Sequence, residues 1–146
     1  MALPPSPPFN LLGQVVRVLV LAFLVNWVWE AVHAAAFVES SGTLVFRIWH
    51  CLPMAATDAG WTLVLWMVVG GFAHTSRPAR ASRLVALGLL GAITAVAVER
   101  FALGSGRWTY NSLMPIVPVV QVGLWPVLQM IILPVLTVWL SERLRR

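Results

Sequence analysis

The sequence predicts an all-α fold: an integral membrane, antiparallel four-helix bundle with a proline-kinked fourth helix. Of the 146 residues, 60% are hydrophobic and 10% are charged, and the mean hydropathy is +0.86. Soluble domains have about 25% charged residues, so these few charges cannot cover a soluble surface. Four apolar stretches approach the length of about 20 residues that a helix needs to cross a bilayer. Short connections between them favour antiparallel neighbours.

We expect one transmembrane domain that follows a disordered, proline-rich tail at residues 1–10. The four spans cover approximately residues 11–37, 48–73, 84–103 and 115–140. Small residues in the third span, Gly88, Gly91 and Ala95, predict close helix packing.

The proline kink is predicted from the fourth span. Pro118, Pro126 and Pro134 lie inside this apolar stretch. Proline removes a backbone hydrogen bond and bends a helix. Pro115 can occupy a first helical turn without that cost.

Arginine distribution predicts the orientation, because cytoplasmic loops carry an excess of positive charge. All ten basic residues are arginines. The loop between spans two and three and the C-terminal segment hold six of them: Arg77, Arg80, Arg83, Arg143, Arg145 and Arg146. The opposite loops hold only Arg47 and Arg107. We therefore expect a multi-pass protein of the bacterial inner membrane with both termini cytoplasmic, and no nucleic-acid partner despite the net charge of +5.

The composition also excludes some chemistry. The chain has no lysine, so a Schiff-base mechanism is excluded. Its single cysteine, Cys51, excludes an internal disulfide and a cysteine-rich metal site.

Ionisable side chains concentrate in the outer half of the predicted bundle. Asn26, Glu30 and His33 have the i, i+4, i+7 spacing that places them on one helix face. Asp58 falls near mid-bilayer in span two, and Glu99 near the outer end of span three. A charge facing lipid at this depth costs at least about 2.5–3.5 kcal/mol. These groups should therefore face inward and pair with one another.

Such a cluster is suited to acid–base catalysis on a lipophilic substrate. Glu30, Asp58 and Glu99 are the candidate acids and bases, with His33 as their partner. Aromatic faces can stabilise a carbocation, and amide or hydroxyl groups can orient a polar head. The candidate substrate-binding residues are Asn26, Trp29, Trp61, Trp108, Tyr110, Asn111, Gln121 and Trp125.

The segment Asn26-Trp27-Val28-Trp29-Glu30 resembles the N-x-x-W-E element of small membrane-embedded terpene cyclases. The resemblance covers these five residues and implies that Glu30 protonates an isoprenoid. That family has more spans than the four predicted here, and its second acid would correspond to Asp58 or Glu99. The longer segments NWVWEAVH and GLWPVLQ resemble small bacterial four-span membrane proteins of unclear activity.

Three alternatives remain open at this point. Glu30 and His33 have the E-x-x-H spacing of di-iron bundles, so a divalent metal with ligands from Glu30, His33, His50, Asp58 and Glu99 is the alternative to a site without a cofactor. An accessory subunit would pair its embedded charges with another chain, in a homo-oligomer or a larger membrane complex. A transporter is disfavoured because the inner half is apolar. The expected partners are the lipid bilayer and a lipophilic small molecule.

Overall fold

The computed structural model describes residues 10–38, 43–71 and 77–144, and these are mostly helical. The helices are α1 (Leu11–His33), α2 (Leu44–His50), α3 (Leu52–Val68), α4 (Arg77–Gly104) and α5 (Leu124–Arg143). A 3-10 turn at Ala34–Ala36 extends α1. Two short strands, β1 (Ile116–Val117) and β2 (Val122–Gly123), pair antiparallel before α5. Residues 1–9 of the predicted tail lie outside the described residues.

Three segments are long and apolar enough to cross a membrane: Leu11–Ala36, Ala79–Gly104 and Leu124–Arg143. Helices α2 and α3 provide a fourth crossing if they form one bent span. The apolar helices therefore agree with the predicted membrane protein. Helix α4 begins earlier than predicted, at Arg77 instead of near residue 84.

The second predicted span is not one straight helix. The chain bends by 41° between α2 and α3, and Cys51 lies at the break. Pro53 occupies the first turn of α3, where its missing N–H costs no helical hydrogen bond. The span therefore begins before residue 48, at Leu44, and its described helix ends at Val68. The predicted end at residues 72–73 lies outside the described residues.

The prediction that the fourth helix begins near residue 115 was wrong. Residues 116–123 form a hairpin instead, in which Ile116 pairs with Gly123 and Val117 pairs with Val122. Pro118 lacks a backbone N–H group, and Gln121 has a positive φ of 52°. Both features oppose a continuous helix from residue 115. Pro118 therefore bends no helix, whereas Pro126 and Pro134 lie within α5.

Helix α1 packs against α3 and α5, and α4 packs mainly against α5. The apolar core includes Val18, Leu65, Leu87 and Met130. As predicted, small residues allow a close approach of α4 to α5: a Cβ atom at Gly91 would overlap the main-chain carbonyl group of Met130.

Charged side chains join the helix ends at the predicted cytoplasmic face. The guanidinium groups of Arg80 and Arg83 each lie 2.5 Å from a carboxylate oxygen of Glu142. Arg83 also donates to the carbonyl oxygen of Gly70 at 3.4 Å, and Arg17 donates to that of Ser141 at 3.4 Å. The start of α4 therefore lies beside the end of α5.

The α4–α5 approach predicts opposite effects for two alanine substitutions. Gly91→Ala should destabilise the protein by about 1–3 kcal/mol, because overpacking forces the two helices apart. At Gly88 a Cβ atom would lie 3.6 Å from the nearest atom, the Ile131 carbonyl oxygen. Gly88→Ala should thus be neutral, or stabilising by about 0.5–1 kcal/mol through helix propensity. Unfolding of both variants by dodecyl sulfate in mixed micelles measures the difference, and equal stabilities would contradict this packing.

Candidate functional site

Gln129 on α5 connects three polar side chains from two other helices. Its Nε2 atom lies 3.0 Å from Asn26 Oδ1, 2.9 Å from Glu30 Oε1 and 2.8 Å from Asp58 Oδ2. Asn26 and Glu30 belong to α1, and Asp58 belongs to α3. We call these four residues the acid–amide group. Asn26, Glu30 and Gln129 are buried, whereas Asp58 is half-buried.

The amide orientations in this group follow from the main chain. Asn26 donates from Nδ2 to the carbonyl oxygen of Ala22 at 2.8 Å, so its Oδ1 atom faces Gln129 as an acceptor. Gln129 must therefore present its nitrogen. That nitrogen carries two hydrogens, yet three acceptor atoms lie within 3.0 Å of it. The group has more acceptors than Gln129 can satisfy.

A proton on one of the acids would relieve this shortage. Glu30 Oε1 and Asp58 Oδ2 both lie within hydrogen-bond distance of the same Gln129 nitrogen, so the two carboxyl groups are close neighbours. Two ionised carboxylates have only acceptors, whereas a protonated carboxyl group supplies an O–H donor. Like charges in such proximity also repel each other, which disfavours the ionisation of both. The geometry therefore favours a pair in which one carboxyl group is protonated.

His33 presents one ring nitrogen toward this pair. Its Nδ1 atom lies 3.0 Å from the carbonyl oxygen of Trp29. Because a carbonyl oxygen only accepts, Nδ1 must carry the hydrogen, and in the neutral ring Nε2 is then unprotonated. Nε2 lies 3.9 Å from Glu30 Oε2. The unprotonated Nε2 atom thus faces one carboxyl group of the pair.

Glu99 forms a second group near the C-terminal end of α4. This buried carboxyl accepts hydrogen bonds at Oε2 from Trp108 Nε1, at 3.3 Å, and from the Tyr110 hydroxyl. The N–H of Gly123 donates to the same hydroxyl at 2.9 Å. Burial, and then the hydrogen bond to Glu99, raise the pKa of Tyr110. The tyrosine therefore remains a neutral donor, and we call Glu99, Trp108 and Tyr110 the Glu99 group.

Aromatic rings connect the two groups. The ring of Phe37 makes edge contacts with those of His33, Trp108 and Tyr110, at centroid distances of 5.5, 6.2 and 5.5 Å. Glu30, which shares the Gln129 amide with Asp58, lies 3.9 Å from His33 between Oε2 and Nε2. The acids of α1, α3 and α4 therefore belong to one region of the molecule.

The loop that follows α4, residues 105–115, is fixed to the end of α1 by hydrogen bonds to main-chain groups. Asn111 donates from Nδ2 to Ala35 O at 2.7 Å and from its main-chain N–H to Ala36 O at 3.0 Å. Val38 donates to Thr109 O at 3.1 Å. These bonds hold Trp108 and Tyr110 over the end of α1, so Asn111 has a structural contact here.

The remaining candidate residues make no hydrogen bond to either group within the described part of the chain. His50 stacks on Phe46 at 5.2 Å. Gln121 is exposed in the hairpin and donates to Pro118 O at 2.5 Å, so it lies outside the helix that carries Gln129. Trp61 and Trp125 are more than one-third exposed.

Trp29 lies beside the acid–amide group, and its ring is tilted against that of His33 at 6.2 Å. Its Nε1 atom is buried without a hydrogen-bond partner among the described residues.

The candidate set omitted two residues that the structure makes central, Gln129 and Phe37. Gln129 has a sequence signal, because a lone amide in an apolar span requires a polar partner. Phe37 has none, since one aromatic residue at a helix end matches many membrane-interface positions.

Within residues 10–38, 43–71 and 77–144, no group of three or more His, Cys, Asp or Glu side chains is arranged to hold a metal ion. Comparisons of the chain with protein-family models, curated proteins and solved structures found no match.

The connecting role of Gln129 predicts a large effect for Gln129→Leu. This change removes the donor from three buried or half-buried acceptors and should destabilise the protein by about 1–3 kcal/mol or more. Thr137→Val is a matched control on α5, because the buried Thr137 hydroxyl has no hydrogen-bond partner among the described residues. Thermal unfolding in detergent micelles measures both variants. If Gln129→Leu is as stable as Thr137→Val, Gln129 does not connect the group.

Proposed function

We propose that the protein is an acid–base enzyme of the bacterial inner membrane that isomerises or cyclises an unsaturated lipophilic substrate, with isoprenoids as the leading class. The observation that carries this proposal is the Glu30–Asp58 carboxyl pair, whose two acids meet at the Gln129 amide on apolar helices. A proton that such a pair shares in an apolar region is a reactive acid. The proposed chemistry needs no cofactor.

The proposed reaction transfers one proton in and one proton out. The Glu30–Asp58 pair gives its proton to one carbon of a double bond, whose π electrons form the new C–H bond. The other carbon becomes a carbocation, and a base then removes a proton from a neighbouring carbon, so that the double bond reforms in a new position. In a cyclisation, a second double bond attacks the cation before the proton leaves. The candidate bases are His33 Nε2 and the Glu99 carboxylate.

The surroundings of the acids favour a cationic intermediate. The faces of Phe37, Trp108 and Trp29 are electron-rich and attract a cation, and all three rings lie next to His33 or to the Glu99 group. Water would capture a carbocation, and burial of Glu30 and Glu99 limits its access. Asp58 is the half-buried acid, so we place the approach of the substrate on the α3 side.

Two further observations support this class of function. The N-x-x-W-E resemblance to membrane terpene cyclases includes Asn26 and Glu30, both of which contact Gln129. The acids also find partners within the chain itself, namely Gln129, Tyr110 and Trp108. A self-contained site favours an enzyme over an accessory subunit, whose embedded charges would need another chain.

The arrangement in the membrane is part of the proposal. We place both termini in the cytoplasm, since Arg80 and Arg83 meet Glu142 at one end of the helices and the acid–amide and Glu99 groups lie toward the other. The four spans then form an antiparallel bundle in which α2 and α3 cross as one unit. Pro134 supplies the proposed bend in α5.

Deuterium incorporation tests this function even where the product is unidentified. The purified protein in lipid vesicles is incubated in D₂O with a panel of isoprenoid hydrocarbons and alcohols, and substrate masses are followed. We expect a mass gain that Glu30→Gln and Asp58→Asn reduce by about 100-fold or more, the usual contribution of a general acid. Glu142→Gln, which removes a carboxylate at the opposite end of the helices, should retain the exchange.

Two outcomes would contradict the proposal. One is equal exchange by the wild type and by the Glu30→Gln, Asp58→Asn double variant. The other is an equal loss in Glu142→Gln, which would show that the change acts through general stability.

A further inference from the structure

The segment between α4 and α5, which includes the hairpin, has an unusually apolar surface for a loop that lies in water. Val119 at its turn is 91% exposed, and Leu113 and Ile116 are 65% and 43% exposed. No charged residue occurs between positions 108 and 123. Loops in water are usually polar, and an exposed apolar patch marks a surface that another apolar phase covers.

Three carbonyl groups of the turn have hydrogen-bond partners within the protein. The carbonyl oxygen of Val117 accepts from the main-chain N–H of Gln121 at 2.8 Å, and that of Pro118 accepts from the Gln121 side chain at 2.5 Å. The carbonyl oxygen of Val120 accepts from Arg100 at 3.2 Å. In the hydrocarbon region every polar main-chain group needs a protein partner, and these three carbonyl groups have one.

The hairpin does not extend away from the helices. Strand β2 packs against α4, and Arg100, the partner of the turn, lies four residues before the end of α4 at Gly104. That separation is about 6 Å along the helix axis. Gly123 also donates to the hydroxyl of Tyr110. That hydroxyl binds Glu99, which lies in the same turn of α4 as Arg100. The hairpin thus lies beside the outer end of a membrane-spanning segment.

We propose that the hairpin of residues 116–123 is a re-entrant element whose tip, Pro118 to Val120, inserts into the outer leaflet of the lipid bilayer. Phe101, which follows Arg100 on α4, is also exposed. Arg100 then lies at the boundary between hydrocarbon and headgroups, where an arginine can bind both the turn and a lipid phosphate. This inference is independent of the proposed catalytic function.

Site-specific fluorescence tests the insertion. The variant Cys51→Ala, Val119→Cys is labelled with an environment-sensitive thiol dye and reconstituted in phosphatidylcholine–phosphatidylglycerol vesicles. Two quenchers are compared: iodide in the water and a nitroxide attached to the lipid acyl chain. The control is Cys51→Ala, Ser105→Cys, because Ser105 is exposed just after α4. Val119 and Ser105 are both exposed, and Ser105→Cys removes one hydrogen bond, from the Ser105 hydroxyl to the Ala102 carbonyl oxygen.

We expect the dye at position 119 to be quenched by the lipid nitroxide and at least several-fold less by iodide than the dye at position 105. Equal iodide quenching at both positions would overturn the proposal and place the tip in water. Protection of position 119 from both quenchers would also overturn it, since a second protein chain would then cover the tip. If the labelled turn folds poorly, the same comparison with Leu113→Cys tests the adjoining exposed residue.

Discussion

The rest of the structure depends on one constraint, which is that a polar group inside an apolar bilayer must find its hydrogen-bond partner within the chain. Gln129 is the clearest case. One amide on α5 serves acceptors on α1 and α3, so the relative positions of three helices follow from a single side chain. Displacing any of these helices would leave a carboxyl group or an amide without a partner, at a cost well above that of a lost apolar contact.

The same constraint explains the loop that follows α4. Glu99 makes no hydrogen bond to the acid–amide group among the described residues, and its donors come from residues beyond α4. Trp108 and Tyr110 return to it because Asn111 is bound to the end of α1 and Gly123 to the Tyr110 hydroxyl. The loop therefore lies against Glu99 at one end of the site and also positions the hairpin. At the other end, Glu142 is paired by Arg80 and Arg83.

Sequence reasoning predicted the parts of the fold that depend on hydropathy and period. The four apolar stretches, the shared face of Asn26 and Glu30 and the close packing at Gly91 all follow from local patterns. The predicted start of the fourth helix was wrong because residues 115–123 are as apolar as a span. Hydropathy does not register the positive φ of Gln121 or the missing N–H of Pro118. The bend at Cys51 was missed because hydropathy likewise does not register a change in helix direction.

The candidate site was predictable as a set of residues, but its internal order was not. Burial cost alone predicts that Glu30, Asp58 and Glu99 face inward. It does not predict that two of them pair while the third binds Tyr110 and Trp108, because that division depends on the tertiary contacts of α4 and of the loop that follows it. Gln121 and Gln129 lie in the same apolar stretch of the sequence, and only the helix boundary at Leu124 separates their environments.

The central claim is that Glu30 and Asp58 share a proton inside the membrane. Infrared spectroscopy of the protein in lipid bilayers at neutral pH tests it directly, because a protonated carboxyl absorbs at a higher frequency than a carboxylate. The account predicts a carboxylic acid band in the wild type that shifts in D₂O, persists in Glu142→Gln and disappears in the Glu30→Gln, Asp58→Asn double variant. A wild-type spectrum that lacks this band, or a band that the double variant retains in full, would contradict it.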